Sequence, residues 1–399
     1  MTTSTPVRPA GRRSPAGVLG ALATAAETAD ELLLGTVRDV HGAVARRVYG
    51  TASTGTAGSA RLSQQVHDRV SSAVYGGVGA GLRATGRGLR RMDRRGVGPR
   101  IEDSPHGRFL VSAVNGLIGD KLAEEQSELA IELGVRHRGR DVPVRRDDLV
   151  EAFPDAGHDL VLFLHGLCET EDVWNRRSAE TGGGYGARLA GETSWTPVFL
   201  RANTGLPIAE NAVAVAALLD ALVEQWPSDV RRIALVGHSM GGLVLRAACA
   251  VVSDAEVAWS TLVTDVVTLG TPHLGAPVER GLVLGAKALG HLPESAPFGR
   301  VLEYRSVGIL DLRCGLAPDV QNLPNARYHL VGATLAASPR HPVSEALGDL
   351  LVRYPSAIGR PRRGRELFPG ADTLHVKGDH FDLLNHPEVY QALHGGLTA

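Results

Sequence analysis

From Asp159 onward, short apolar runs alternate with segments of helical period. The runs LVLFLHG (160–166), TPVFLRA (196–202), RIALVGH (232–238), TDVVTLG (264–270), RYHLVGA (327–333) and TLHVKG (373–378) read as strands. Most of them are continuously apolar instead of alternating, the signature of strands covered on both faces. Helical patterns fit between them at Gly186–Leu189, Ile208–Trp226 and Met240–Val251. The pattern predicts an α/β architecture: a mostly parallel sheet with helices on both faces. Upstream, Phe109–Leu122 reads as an amphipathic helix. Residues 128–144 (ELAIELGVRHRGRDVPV) read as two strands about a turn near Arg138–Gly139.

The first hundred residues follow a different rule. Residues 1–16 have the Thr/Pro/Arg/Ser composition of a disordered tail. Residues 17–100 read as a basic, amphipathic helical extension. Val37, Val40, Val44 and Val48 recur every three or four positions, TASTGTAGSA (51–60) is a linker by composition, and Leu62, Val66, Val70, Val74, Val78 and Leu82 step by four. The plain reading is a helical hairpin packed on itself or on the rest of the chain. The sharper one is peripheral membrane contact, with the apolar stripe toward lipid and arginine toward anionic headgroups. The stripe lacks Trp and Phe, which counts against it. Residues 278–326, between two core strands, are too long for a plain crossover and read as a helical cap.

Charge sharpens this division. The 399 residues carry a net charge of −1, yet residues 1–100 hold 15 Arg and no Lys against six acidic residues. A net +9 segment therefore precedes a net −10 one. No recognised nucleic-acid module surrounds the arginines, so no nucleic-acid partner is expected. Three cysteines, Cys168, Cys249 and Cys314, lie far apart with no CxxC spacing, which excludes a disulfide framework and fits a reducing compartment. No apolar run reaches membrane-spanning length. The Ala/Gly-rich stretch after Arg12 and Arg13 makes a poor signal peptide, so the expected location is cytoplasmic, with peripheral membrane association through residues 17–100 left open.

The chemistry concentrates at RIALVGHSMGGLVLR (232–246). Gly237-His238-Ser239-Met240-Gly241 is a G-x-S-x-G string that follows a strand pattern and opens a helical one. A tight strand-to-helix turn needs small residues on both sides of the serine. Gly237 and Gly241 let it close, and Gly242 lets the helix approach the sheet. Ser239 is thus the candidate nucleophile, and it needs a base oriented by a carboxylate. His380, in GDHFDLLNHPEVY (378–390), follows the last strand and is the candidate base. His375 falls within a strand, and His386 and His394 fall in the terminal helical part. Asp349, in ALGDLLVRYPSAIG, follows a strand and precedes His380, and is the candidate acid, with Glu345, Asp311 and Asp372 as alternatives. The N–H groups of Met240 and of Leu167, in the loop after LVLFLHG, are the candidate oxyanion donors. His165 reads as a loop-fixing residue and His273 as a structural one. The Gly182–Gly186 loop lacks the Lys-Ser/Thr of a phosphate loop, and no HExxH or other metal spacing occurs, so neither cofactor nor metal is expected.

At these residues the chain resembles the α/β-hydrolase superfamily, in particular bacterial lipase/esterase-like members related to triacylglycerol lipases and GPI inositol-deacylases. The pieces that carry the resemblance are FLHGL (163–167), GHSMGG (237–242), TLGTPHLGAP (268–277), GDLLV (348–352) and HFDLLNHPEVY (380–390), in the family's order within residues 105–395. The resemblance implies the fold, Ser239 as nucleophile, His380 as base, Asp349 as acid, and Leu167 with Met240 as oxyanion donors. It implies hydrolysis of a small-molecule or lipid ester through an acyl-enzyme. Two departures stand out. Such lipases often read GDGLV where this chain has Leu350, and residues 1–100 have no counterpart. An acyltransferase on the same fold, or a membrane- or granule-surface binding protein with a weakly active hydrolase domain, are the alternatives.

Overall fold

The computed structural model describes residues 101–252, 258–276, 306–317, 320–361 and 363–399, together with positions 84, 87, 88, 91 and 255. The sequence-predicted tail and most of the extension (17–100), and residues 278–305 of the predicted cap, lie outside the described residues. The chain divides into two compact units, and the elements below belong to the second, residues 105–295 and 304–399.

Eight strands form one sheet among the described residues: β1 (Gly134–His137), β2 (Arg140–Val142), β3 (Asp159–Leu164), β4 (Trp195–Arg201), β5 (Arg232–His238), β6 (Val263–Leu269), β7 (Arg327–Thr334) and β8 (Asp372–Lys377). The helices are α1 (Pro105–Glu124), α2 (Arg146–Ala152), α3 (Tyr185–Glu192), α4 (Ile208–Gln225), α5 (Met240–Ala248), α6 (Val307–Cys314), α7 (Pro342–Leu347), α8 (Tyr354–Ala357) and α9 (Pro387–Thr398). The strand order is β2-β1-β4-β3-β5-β6-β7-β8. The pairs from β4 through β8 are parallel, and β1 runs antiparallel to both of its neighbours. The β1–β2 hairpin closes on Arg138 (φ 48°) and Gly139 (φ 76°), both left-handed, as a two-residue turn between right-twisted strands requires.

The continuous apolar runs are explained by the two covers. Val161, Phe163, Ala234, Val236, Val267 and Val331 share one face and pack with Tyr185 and Leu189 of α3 and with Val389, Leu393 and Leu397 of α9. Their neighbours in sequence, Leu160, Leu162, Leu164, Ile233 and Leu235, are buried on the opposite face by the two-residue period of a strand. There α5 packs on β3, β5 and β6, and α4 packs on α5. At about 25 cal/mol per Å² of apolar surface removed from water, each such side chain contributes roughly 1.5–3 kcal/mol before the entropy of ordering is subtracted.

Helix α1 bends at Ile118 (φ −140°, ψ 22°), where two helical pieces meet. Its buried face is small and polar as well as apolar: Ser112, Asn115, Gly116 and Gly119 lie against the loops that follow β3 and β4. A Cβ on Gly119 would strike Asn203, and one on Gly116 would strike Cys168 Sγ. Helix α6 is tied to the same wall. Ser306 Oγ donates to Gly116 O (2.7 Å), Val307 N to Asp120 Oδ2 (3.1 Å), and Ile208 N to Asp311 Oδ2 (2.9 Å).

Candidate active site

Ser239 stands between β5 and α5 at φ 51°, ψ −122°, a conformation that side-chain-bearing residues rarely adopt and that stores about 1–3 kcal/mol. Three glycines make the turn possible, each by a different contact. A Cβ on Gly237 would lie 2.5 Å from Gly242 Cα and N, so strand end and helix start touch backbone to backbone. A Cβ on Gly241 would meet Leu164 O and come within 2.5 Å of His165 O at the end of β3. A Cβ on Gly242 would strike Thr271 of the loop after β6. Ser239 N–H donates to Leu269 O (2.8 Å), which pins the turn to β6. The serine itself is half-buried, while His238 before it and Met240 after it are fully buried.

Two loops at the same end of the sheet bring an acid and an imidazole together. Asp349 follows β7 in a turn held by Gly348 (φ 61°), whose Cβ would collide with Val352 O. Its Oδ1 accepts from Leu351 N (3.0 Å) and Val352 N (2.7 Å), which leaves Oδ2 facing His380 Nδ1 at 2.8 Å. His380 N–H also donates to Asp349 O (3.0 Å), so main chain and side chain hold the pair together. Both side chains are buried, with 1% and 2% exposure. His380 opens a short turn capped by Asp379, whose Oδ1 accepts from Phe381 N (2.8 Å) and Asp382 N (3.0 Å). Burial lowers the affinity of His380 for a proton, but the charge of Asp349, its hydrogen bond, and the charges of Glu169 and Asp379 outweigh burial and raise its pKa above the ordinary imidazole value. Its Nε2 is buried with no hydrogen-bond partner among the described residues. Such contacts often tighten only when substrate binds.

The departure at Leu350 acquires a shape here. Leu350, which stands where related lipases often carry glycine, has φ 85°. The turn keeps the left-handed backbone that glycine would adopt freely, and the leucine bears its strain.

The remaining histidines have other partners. His165 is buried with Nδ1 near Gly166 O (2.9 Å) and Nε2 accepting from Ala202 N (3.1 Å), and burial lowers its pKa, so it fixes the loop as a neutral ring. His273 is buried against Phe368 with Nε2 on Thr268 Oγ1 (3.2 Å), and burial holds its pKa well below the usual value. His375 meets Thr334 Oγ1 (2.7 Å), His386 caps α9 by accepting from Glu388 N (3.3 Å), and His394 lies 3.9 Å from Glu192. Among the alternative acids, Asp311 accepts from Ile208 N, Asp372 pairs with His329 (3.3 Å), and Glu345 is exposed.

Leu167 sits in the loop after β3, within a turn closed by Glu169 N–H to Gly166 O (3.2 Å). A Cβ on Gly166 would lie 2.9 Å from Ser239 Cβ, which places this loop directly over the serine. Neither Leu167 N–H nor Met240 N–H has a hydrogen-bond partner among the described residues. The sequence reading passed over Glu169. It is a buried carboxylate whose Oε2 accepts from Gly166 N–H (2.6 Å) and faces His238 Nδ1 (2.9 Å). Its sequence signal was an acidic residue three positions after the strand-ending glycine, in a loop that also carries Glu171 and Asp172. Asn385 (φ 60°) ties the base-bearing segment to its neighbours, donating to Trp174 O (2.9 Å) and Arg176 O (2.6 Å) and accepting from Tyr185 N (2.7 Å). Among the described residues no group of three or more His, Cys, Asp or Glu side chains is placed to hold a metal ion, and no helix is long and apolar enough to cross a membrane.

Residues 202–285 match the family model described as a PGAP1-like alpha/beta domain. Over that stretch the chain is similar to PGAP1-like alpha/beta domains, and it carries the eight-stranded, mostly parallel sheet described above. Solved structures similar to it include the mature form of the Bacillus licheniformis lipase BlEst2, 19% identical, covering 66% of this chain and 97% of that one with a TM-score of 0.39. The Pyrococcus furiosus esterase Pf2001 is 15% identical over 61% of this chain and 83% of its own, with a TM-score of 0.40. A membrane phospholipase A described as a bacterial virulence factor is 17% identical over 60% and 79%, with a TM-score of 0.39. No curated protein matches this chain in sequence.

Proposed function

We propose that this protein is a serine hydrolase that cleaves carboxylic esters through an acyl-enzyme. The observation that carries the reading is the buried Asp349–His380 pair, 2.8 Å apart, on loops that open at the same end of the sheet as the strained Ser239 turn. Asp349 holds His380 with Nδ1 protonated, so Nε2 is the basic nitrogen. In the reaction, Ser239 Oγ–H turns toward Nε2 and gives up its proton as Oγ attacks the ester carbonyl. The carbonyl oxygen takes the negative charge and is met by Leu167 and Met240 N–H, two donors with no other partner among the described residues. His380 returns the proton to the departing alkoxide, leaving an ester on Ser239. Water, deprotonated by the same imidazole, then releases the acid and restores the serine.

The test is reaction with a fluorophosphonate probe and hydrolysis of p-nitrophenyl esters by the full-length protein and by Ser239→Ala. The wild type is expected to label and to hydrolyse, and the variant to lose labelling and several orders of magnitude in rate. Retained hydrolysis in a folded Ser239→Ala protein refutes the assignment. Product analysis with an added alcohol distinguishes the hydrolase from an acyltransferase, since only the latter diverts the acyl group into a new ester.

A further inference from the structure

We propose that Glu169 is a positioning residue for the reaction, locking the loop that carries Leu167 onto the nucleophile turn and the base. The inference rests on the hydrolase reading above. Glu169 lies nine-tenths buried, three residues after Gly166. Its carboxylate Oε2 receives Gly166 N–H at 2.6 Å and its own N–H returns to Gly166 O at 3.2 Å, so the turn 166–169 is closed twice. Cys168 takes φ 61° to permit this, and Ser112 of α1 donates to Glu169 O at 2.6 Å, clamping the turn from outside. Within the turn, Leu167 N–H is the backbone donor without a partner among the described residues. An oxyanion donor must be held in place before the charge develops, because reorienting it during the reaction forfeits its advantage.

The same oxygen reaches the other half of the site. Glu169 Oε2 lies 2.9 Å from His238 Nδ1, and His238 Nε2 lies 3.3 Å from His380 O. A carboxylate and a carbonyl only accept, so both ring nitrogens of His238 are placed to donate. The point where a Cβ on Gly166 would sit is 2.9 Å from Ser239 Cβ and 3.0 Å from Glu169 Oε2, so serine and carboxylate border one small space. One carboxylate thus connects the oxyanion loop, the residue before the nucleophile and the main chain of the base. A bare negative charge beside a forming oxyanion would oppose it, and pairing with His238 offsets that charge. Opposite charge from His238 and the Gly166 hydrogen bond outweigh burial and keep the Glu169 carboxyl below its ordinary pKa.

Two substitutions separate hydrogen bonding from charge. Glu169→Ala removes the acceptor for both Gly166 and His238. It is expected to lower kcat for p-nitrophenyl ester hydrolysis about 100-fold, the scale of a lost oxyanion donor, with KM changed less than about threefold. Glu169→Gln keeps an oxygen for both contacts and removes the charge. It is expected to hold kcat within about tenfold and to move the acidic limb of the pH–kcat profile to lower pH. His380 would then be faced by Asp349, Asp379 and His238 without the negative charge of Glu169. A folded Glu169→Ala protein with kcat within threefold of wild type, or one whose loss lies wholly in KM, overturns the proposal. So does an unmoved acidic limb in Glu169→Gln, which decides the matter if Glu169→Ala does not fold. A wild type that neither labels nor hydrolyses esters overturns the hydrolase reading and this inference with it, a pattern distinct from an active wild type with indifferent Glu169 variants.

Discussion

Replacing Asp349 by Asn removes one charge and changes almost no volume. The structure dictates how the amide must sit. Oδ1 of the aspartate accepts two backbone N–H groups, from Leu351 and Val352, at 3.0 and 2.7 Å. The asparagine oxygen has to occupy that position, since turning the amide over would aim its NH2 at two donors. The NH2 group then takes the place of Oδ2, 2.8 Å from His380 Nδ1. It can only donate, so Nδ1 must become the acceptor and the ring proton moves to Nε2. In the proposed reaction Nε2 receives the Ser239 proton, and in this tautomer it is already protonated. The expected loss is about 10⁴-fold in kcat, or about 5.5 kcal/mol of transition-state stabilisation at 1.36 kcal/mol per decade. The fold loses one charge-assisted hydrogen bond and keeps the two backbone contacts, a cost of about 1–2 kcal/mol. Steady-state ester hydrolysis and thermal melting of wild type and variant measure the two separately. An Asp349→Asn protein that melts near the wild-type temperature and retains kcat within tenfold refutes the tautomer argument.

Gly241→Ala places a methyl group against two backbone carbonyls, Leu164 O and His165 O, which cannot rotate away. It is expected to destabilise the protein by about 1–3 kcal/mol and to abolish probe labelling by prising α5 from β3, and unchanged labelling would contradict the packing described. The raised pKa of His380 predicts that activity, which in the proposed reaction needs the neutral imidazole, fades on acidification at a pH above about 6.5, the ordinary histidine value; a pH–kcat limb below that value counts against it. Stability responds in the opposite range. The carboxyls of Asp265, paired with His329 and Arg327, and of Glu169 are held below their ordinary values, so their contribution is complete above about pH 4.5 and is lost as pH falls through their folded pKa values. A melting temperature that stays flat from pH 5 to pH 3 would exclude this.

The sheet was legible because each central strand is covered twice. Val161 and Leu162 must both be apolar although they point in opposite directions, and that leaves an unbroken run in the sequence. The hairpin was legible at Arg138–Gly139 for a local reason, since two left-handed residues in succession favour glycine. The glycines around Ser239 were equally readable, but their partners were not. That Gly241 touches β3 and Gly242 touches Thr271 depends on strands brought together across the fold. Glu169 was passed over because an acidic residue in a loop looks solvated until the loop is seen beneath Ser112 and against His238.

The sequence by itself determined the order of elements and the residue at the sharp turn, because alternation, helical period and glycine requirements act between residues close along the chain. It also pointed to a histidine after the last strand as the candidate base. Among the carboxylates the sequence put Asp349 ahead of Glu345, Asp311 and Asp372, and only the tertiary structure gives each its partner. Asp372 begins β8 beside His329, Asp311 holds the start of α4, and Asp349 meets His380. Composition around those three residues does not distinguish them. What does is the parallel sheet, which carries the loops after β5, β7 and β8 to one edge.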